Sequence, residues 1–393
     1  MRNISYRQII VVSAFLGLSS SFVLDDNCPE SSLPCTCYGN SRNFSYISCT
    51  SKSLTNIPNI KQSGYHVNKL YLDFELNEIT VIRNNAFITF SSINASEIDL
   101  RLDNNKIHSV ESNAFTGVAN SITSLHLQHN NLTVLPSAFK NLFNLRNLDV
   151  LFNPLHSLDA SAMSNIGRSL TSFSLDLDHF KEWPQELHYL RVLQTLTVDN
   201  IQFPHLAINA FDGFENTLTS LSLKYYRLEK VPNAICHLSH LSELTIVYSY
   251  NLQKNMTPIF EPCGKELSSV TSLTLYANDL HTFPNITLFP SLTLLNLNSN
   301  RLQNIDITKI PLHSKLATID LEFNLLERIP DALNRLKSLQ SLSFSSNKIM
   351  TIKTSDLAGL SSLTFLRVFD NPITYVEPEA FKDNFNLHHL DLG

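Results

Sequence analysis

The chain has 393 residues, of which 43% are hydrophobic and 16% are charged, and its formal net charge is -6. A mildly acidic chain without a basic run argues against nucleic acid as the main partner. The 14 histidines are too scattered to indicate a metal site, and no sequence feature predicts a cofactor.

Residues 1–21 have the three-part plan of a secretory signal peptide. Arg2 and Arg7 precede the apolar run from Ile9 to Leu18, and small serines follow it. A transmembrane anchor is the weaker interpretation, because this run is shorter than the roughly 20 residues that span a bilayer. No later stretch is long and apolar enough to cross a membrane, so we predict a secreted, extracellular protein.

Four closely spaced cysteines follow, at Cys28, Cys35, Cys37 and Cys49. After a signal peptide, such a group predicts a disulfide framework, and spacing alone leaves its three possible connectivities open. Zinc is the competing interpretation. Secretion and the absence of a paired C-x-x-C spacing argue against it.

Residues 61–393 repeat one pattern, which is clearest between residues 291 and 330. Its first copy is Leu292, Leu295, Leu297, Asn300, Leu302 and Ile305, and its second is Leu316, Ile319, Leu321, Asn324, Leu326 and Ile329. The form L-x-x-L-x-L-x-x-N-x-L at a period of 20–29 residues is typical of a leucine-rich repeat solenoid. We therefore predict one elongated α/β domain, although the length would ordinarily suggest two or three globular domains.

The pattern also predicts the shape of each coil. Leu295 and Leu297 lie two residues apart and point into the coil, whereas Asn296 points to solvent. Asn300 lies where the chain turns, and its side-chain amide is suited to satisfying backbone groups there. One coil cannot bury its own apolar side, so the strands should pair in parallel into a curved sheet on the concave face, with an irregular or short-helical convex side.

Two features interrupt the repeat. We call the asparagine at the position of Asn300 in each repeat the ladder asparagine. In four middle coils it is replaced by Asp178, Ile201, Tyr226 and Ser249, which indicates either a functional region or decay of a redundant motif. The last copy is incomplete and reaches Gly393 without a closing cap. We expect an incomplete gene product or a truncated chain, or else a partner that covers this end.

The cysteine block over residues 28–60 resembles the N-terminal cap of extracellular leucine-rich repeat proteins, such as Slit, the small matrix proteoglycans, the Nogo receptor and Toll-type ectodomains. This resemblance implies the pairs Cys28–Cys37 and Cys35–Cys49. It also implies a rigid curved sheet that is presented to a protein ligand. The run CPESSLPCTC is further similar to the leucine-rich subunit of a crustacean luciferase complex, which implies a non-catalytic partner of a secreted enzyme.

Cys236 and Cys263 flank the irregular middle repeat. An oxidising compartment and the even number of cysteines favour a disulfide over two buried thiols. Five sequons after the signal peptide permit N-glycosylation. They are Asn43, Asn94, Asn131, Asn255 and Asn285. None is an outward strand position, so the concave sheet should stay free of sugar.

Two groups of residues are candidates for ligand binding. Aromatic residues beside a cation favour a protein-binding hot spot, formed by Lys224, Tyr225, Tyr248, Tyr250 and Tyr276. An apolar group, Leu151, Phe152 and Leu177, in the coils before it predicts a second interaction surface, because contiguous exposed apolar surface usually marks one. The alternative is that these side chains fold over the sheet edge or pack on the loops.

No catalytic motif is present, so we predict that the chain is not an enzyme. The sequence favours an extracellular module that binds a protein ligand or a cell-surface receptor, in adhesion, matrix or signalling recognition. The ectodomain of a membrane receptor is the alternative. The sequence indicates neither the ligand nor the oligomeric state.

Overall fold

The computed structural model describes residues 34–40, 43–60, 66–203, 206–225, 227, 230–253, 258–260 and 263–393. Its strands are β1 (Thr36–Asn40), β2 (Phe44–Ser48), β3 (Val67–Asp73), β4 (Val81–Ile82), β5 (Ala95–Arg101), β6 (Ser109–Val110), β7 (Ile122–His126), β8 (Asn147–Asp149), β9 (Ser172–Asp176), β10 (Thr195–Asp199), β11 (Ser220–Lys224), β12 (Glu243–Val247), β13 (Ser272–Thr274), β14 (Leu294–Asn296), β15 (Thr318–Asp320), β16 (Ser341–Ser343), β17 (Thr351–Ile352), β18 (Phe365–Arg367), β19 (Tyr375–Val376) and β20 (His389–Asp391). The described residues contain one α-helix, α1 (Ala160–Ile166), and the 3-10 helices Ile88–Ile93, Ser137–Asn141, Gln185–Tyr189, Asn233–His237, Ile307–Lys309 and Asp331–Arg335.

One long sheet organises the molecule. Sixteen described strands pair in the order β1-β2-β3-β5-β7-β8-β9-β10-β11-β12-β13-β14-β15-β16-β18-β20, and the small pairs β4-β6 and β17-β19 lie apart from it. Only β1 and β2, at its N-terminal end, pair antiparallel among these strands. From β2 onward every neighbour is parallel. The predicted α/β solenoid is confirmed.

The apolar repeat fixes the register of this sheet. Leu295 lies opposite Ile319, and Leu342 lies opposite Leu366, as the spacing predicts. All four side chains are buried, because alternate strand residues point to the same face. One irregularity interrupts the pairing of β5 with β7, where the register shifts between Ile98 and Asp99.

The ladder asparagines close the turn after each regular strand. Asn300 is buried, and its Nδ2 donates to three backbone carbonyl oxygens at 2.8, 2.9 and 3.2 Å. Its Oδ1 accepts from two backbone N–H groups at 3.1 and 3.0 Å. This one amide therefore satisfies backbone groups of two neighbouring coils, which buried polar groups require.

The four middle coils without a ladder asparagine have longer strands than their neighbours. In β9, β10, β11 and β12 the strand runs two residues further toward its carboxyl end than in β8 or β13. These additional residues continue the parallel pairing from one coil to the next. Equivalent backbone hydrogen bonds also occur in regular coils, as from the His129 N–H to the Leu151 carbonyl oxygen at 3.1 Å, so the middle coils keep this pairing without the ladder amide.

Two disulfides lie within the described residues. Cys35 pairs with Cys49, with a Cα–Cα distance of 4.3 Å, beside the antiparallel β1-β2 pair. Cys236 pairs with Cys263 across the long middle repeat, with a Cα–Cα distance of 5.3 Å. Cys28 and the predicted signal peptide lie outside the described residues, so the Cys28–Cys37 bridge stays a prediction.

Candidate binding surface

The residue before the ladder position adopts a left-handed backbone conformation in every described coil except the one that contains Leu177. Its φ is 52° at His129, 55° at Phe152, 51° at Tyr225 and 57° at Tyr248. This conformation is strained for residues other than glycine, by about 1 kcal/mol. Serine occupies the equivalent position in later coils, as at Ser299. The turn therefore does not require an aromatic side chain.

Three tyrosines form a continuous aromatic row at the carboxyl ends of β11, β12 and β13. Tyr225 and Tyr248 stack with ring centroids 4.7 Å apart and planes 7° apart. Tyr276 meets Tyr248 edge to face, with centroids 5.4 Å apart. Burial, followed by a hydrogen bond with Tyr276, raises the pKa of the Tyr248 hydroxyl to about 12. We call Tyr225, Tyr248 and Tyr276 the tyrosine edge.

The other two residues of the predicted hot spot lie beside this edge. Tyr250 is 66% exposed. Lys224 ends β11, directly opposite Asp199 of β10, and its Nζ lies 3.8 Å from the Asp199 Oδ1. Lys224 therefore contacts the preceding coil, and it lies between the tyrosine edge and the acidic residues described below.

The predicted apolar group is wrong as a surface. Leu177 is fully buried and Leu151 is only 8% exposed, so Phe152 alone reaches solvent. Leu177 lacks the left-handed φ found at Phe152 and Tyr225, so the strand alternation that buries Leu175 continues and also buries Leu177. Phe152 stacks on His129 with ring centroids 4.3 Å apart.

A second feature, which the sequence reasoning missed, is a run of carboxylates across the concave face of the N-terminal half. We call it the acidic tract, and its members are Glu75, Asp99, Asp103, Asp149, Asp176 and Asp199. Its members do not share one strand position. Asp99 lies two residues before the position that Arg101 and Asp149 share, whereas Glu75, Asp103, Asp176 and Asp199 lie two residues after it. Comparison of that single position therefore shows only Asp149 among them.

Amide side chains connect parts of the acidic tract. The Asp103 Oδ1 accepts from the Gln128 backbone N–H at 2.7 Å, and the Gln128 Nε2 donates to the Asp149 Oδ2 at 2.7 Å. In the next coils the Asn200 Nδ2 donates to the Asp176 Oδ2 at 2.7 Å. The carboxylates are therefore held in fixed positions.

Burial makes ionisation of five of these acids, Glu75, Asp103, Asp149, Asp176 and Asp199, unfavourable. It raises the pKa of Asp103 to about 7 and that of Asp149 to about 6, against an ordinary value of 3.8. It also raises the pKa values of Glu75, Asp176 and Asp199. Neighbouring carboxylates add to the effect, whereas Arg101 and Lys224 oppose it.

A cavity of about 330 Å³ opens on this face. Its lining includes Asp99, Arg101, His126 and Asp149. Among the described residues, no group of His, Cys, Asp and Glu side chains is arranged to hold a metal ion. None of the described helices is long and apolar enough to cross a membrane.

Four predicted sequons, at Asn43, Asn94, Asn131 and Asn285, have exposed asparagines outside the interior of the strands. Asn255 lies outside the described residues. Glycans at the four exposed sites would leave the tyrosine edge accessible.

Comparison with known proteins decides the family. The leucine rich repeat model matches residues 99–155 and 314–373. The chain is a leucine-rich repeat protein. The Cys35–Cys49 bridge is consistent with the cysteine-rich cap of such proteins.

Related leucine-rich repeat proteins include Tsukushi of Mus musculus, 32% identical over 153 residues, which are 37% of this chain and 41% of Tsukushi. Leucine-rich repeat-containing G-protein coupled receptor 5 of Rattus norvegicus is 30% identical over 130 residues, 33% of this chain and 14% of the receptor. The chain thus spans less than half the length of these relatives. They are extracellular leucine-rich repeat homologues, and the homologues are non-catalytic.

Solved structures agree with this fold. Toll, in the structure of the Drosophila Toll–Spatzle complex, superposes with a TM-score of 0.63 at 15% identity, covering 94% of this leucine-rich repeat chain and 51% of that chain. At such low identity the similarity concerns the fold alone.

Proposed function

We propose that the chain is a secreted module that binds a protein ligand through the tyrosine edge of its concave sheet. The observation that carries this proposal is the continuous, partly exposed row of Tyr225, Tyr248 and Tyr276 in adjacent coils. An extracellular location is supported by the disulfides and by the extracellular homologues.

The chemistry of the tyrosine edge suits a protein ligand. Tyrosine supplies a large contact area with few rotatable bonds, and it is enriched among the residues that dominate binding energy. Stacking holds the Tyr225 ring in place, although 44% of that residue stays exposed. A rigid aromatic row loses little conformational freedom when a ligand covers it.

The ectodomain of a membrane receptor is a second candidate. The similarity to leucine-rich repeat-containing G-protein coupled receptor 5, which extends over only 14% of that protein, favours it. Sequencing the full transcript through its 3′ end tests this candidate. An apolar segment of about 20 residues after the repeats would support a receptor.

The binding function is tested with purified, biotinylated chain that is titrated onto intact cells and onto extracellular matrix. The test variant is Tyr225→Ser with Tyr248→Ser, because serine already occupies the equivalent position at Ser299. We expect the half-saturating concentration to rise at least about tenfold, since each lost hot-spot residue costs about 2 kcal/mol.

A matched control replaces two exposed tyrosines away from the edge. Tyr189 and Tyr375 are 41% and 55% exposed, and Tyr189→Ser with Tyr375→Ser should bind within about twofold of wild type because surface positions outside the interface are near neutral. Equal binding by the two variants would contradict the site. Absence of saturable binding to both cells and matrix would contradict the function.

A further inference from the structure

The carboxylates of the acidic tract are not needed by the fold. Strand positions of the concave face that hold Asp99 and Asp149 hold serine or threonine in later coils, such as Ser172 and Thr197. Those coils form the same parallel sheet. The acidic side chains therefore have another reason to be present in the N-terminal half.

Two of these carboxylates are buried without adequate partners. Asp99 is 8% exposed, and its Oδ1 accepts no hydrogen bond from a described residue. The Arg101 Nε and the His126 Nε2 lie 3.5 and 3.6 Å from that oxygen, outside good hydrogen-bonding distance. Asp99 lines the 330 Å³ cavity, so a cationic group seated in that cavity would lie beside its carboxylate.

Asp199 repeats this situation at the other end of the tract. It is 2% exposed, and its Oδ1 accepts no hydrogen bond within the described chain. Its nearest cation is the Lys224 Nζ, at 3.8 Å. A buried carboxylate that lacks hydrogen bonds is destabilising, and an added cationic donor would offset that cost.

Charge is also unbalanced over the whole face. The cations that face the acidic tract are Lys69, Arg101 and Lys224, with His126 as a titratable neighbour. Lys69 itself lies over the Tyr71 ring, 4.7 Å from its centroid. The carboxylates outnumber these cations, which leaves an attractive field for positive charge.

We propose that the acidic tract binds a cationic segment of the protein ligand, whose arginine or lysine side chains reach Asp99, Asp149 and Asp199. The inference rests on the proposed protein-binding function. Because Lys224 contacts Asp199, the tract continues into the tyrosine edge. One ligand can therefore place a basic segment on the tract and an apolar segment on the tyrosines.

The test measures fluorescence anisotropy of a labelled peptide of alternating arginine and serine, added to the full chain. A peptide with glutamine in place of every arginine is the matched probe. The tract variant is Asp99→Asn, Asp149→Asn and Asp199→Asn, which keeps the side-chain shape. We expect at least about tenfold weaker binding of the arginine peptide, because several desolvated charges are removed.

The control variant separates a specific tract from overall charge. Glu182→Gln, Asp212→Asn and Glu327→Gln change exposed acids away from the sheet and alter the net charge equally. This variant should bind within about twofold of wild type, because isolated exposed charges are screened. An equal loss in both variants, equal binding of both peptides, or no binding to wild type would overturn the proposal.

Hydrogen exchange of the wild-type chain gives a second readout that does not depend on the folding of any variant. The arginine peptide should protect backbone amides of β5 to β10 more than those of β14 to β20. Protection spread evenly over the sheet would contradict the tract. Peptide binding that survives Tyr225→Ser with Tyr248→Ser, while cell binding is absent from wild type, would leave the tract in place and reject the proposed function.

Discussion

Removing the charge of Asp103 should stabilise the protein at alkaline pH. Asp103 is nearly buried, and burial raises its pKa to about 7, from an ordinary 3.8. Glu75 and Asp149 raise it further, and Arg101 lowers it. Above pH 7 the folded chain must therefore hold an unfavourable carboxylate.

The sign of the pH dependence follows from the raised pKa. Between about pH 4 and pH 7 the folded chain binds a proton at Asp103 that the unfolded chain has released, so the free energy of unfolding falls as pH rises. The rise of the Asp103 pKa from 3.8 to about 7 corresponds to roughly 4 kcal/mol of the free energy of unfolding, an upper value for one group. Asp149, Asp176 and Asp199, whose pKa values are also raised by burial, contribute in the same direction.

Asp103→Asn isolates this contribution. Asparagine keeps an Oδ1 that can accept the 2.7 Å hydrogen bond from the Gln128 N–H, so the change removes charge and little else. Urea unfolding followed by circular dichroism at about pH 5 and about pH 8 should show a smaller pH dependence than in wild type. At pH 8 the variant should be more stable by on the order of 2 kcal/mol.

Asp306→Asn is the control, because this exposed carboxyl has its pKa lowered by hydrogen bonds from Thr308. Its contribution to stability is present above the unfolded pKa and is lost as pH falls through the folded pKa. The substitution should therefore give no gain at pH 8. If Asp103→Asn leaves stability at pH 8 unchanged or lower, the inferred cost of the buried charge is refuted.

Three further changes test a ladder amide, the middle disulfide and one glycosylation site. In a urea titration, Asn300→Ala should lower the free energy of unfolding by about 3–5 kcal/mol, because it leaves several buried backbone groups unpaired. Asn371→Ala, at a half-exposed position, should lower it by less. Replacing Cys236 and Cys263 by serine opens a loop with a sequence separation of 27, and it should lower stability by about 3–4 kcal/mol in the chain-entropy model; an unchanged midpoint under non-reducing conditions would count against the bridge. Asn285→Gln should lower the apparent mass of the secreted chain by one glycan on a gel, and an unchanged mass would show that the site is unused.

The repeat unit was predictable because its physical requirement is simple. Each coil must place apolar side chains inward at alternate strand positions and must supply hydrogen-bond partners to the backbone groups of its turn. Leu295, Leu297 and Asn300 could therefore be assigned from spacing alone. The tyrosine edge was also accessible, since its members follow equivalent strands in adjacent repeats. Equivalent positions of a parallel solenoid are spatial neighbours.

Leu177 shows where spacing fails. It occupies the slot that is exposed at Phe152, but its backbone does not adopt the left-handed conformation found there, so the strand alternation carries it into the core. The sequence marks the missing asparagine at position 178, yet it does not show whether the turn or the strand compensates. The acidic tract was missed for a related reason, because its members come from strand positions two residues apart and lie close together only across neighbouring coils.

The missing asparagines were compatible with either decay or function, and we propose function because the two proposed surfaces meet in these coils. Without the ladder amides, β9 to β12 extend toward their carboxyl ends, and Asp199 and Lys224 become paired strand residues. In the regular coils β8 and β13 end two residues earlier, although the backbone pairing continues into the turn, as from the Ala277 N–H to the Asn298 carbonyl oxygen. The end of the acidic tract and the start of the tyrosine edge lie in register within the coils that lack the asparagine. The two proposed surfaces therefore meet where the repeat departs from its pattern.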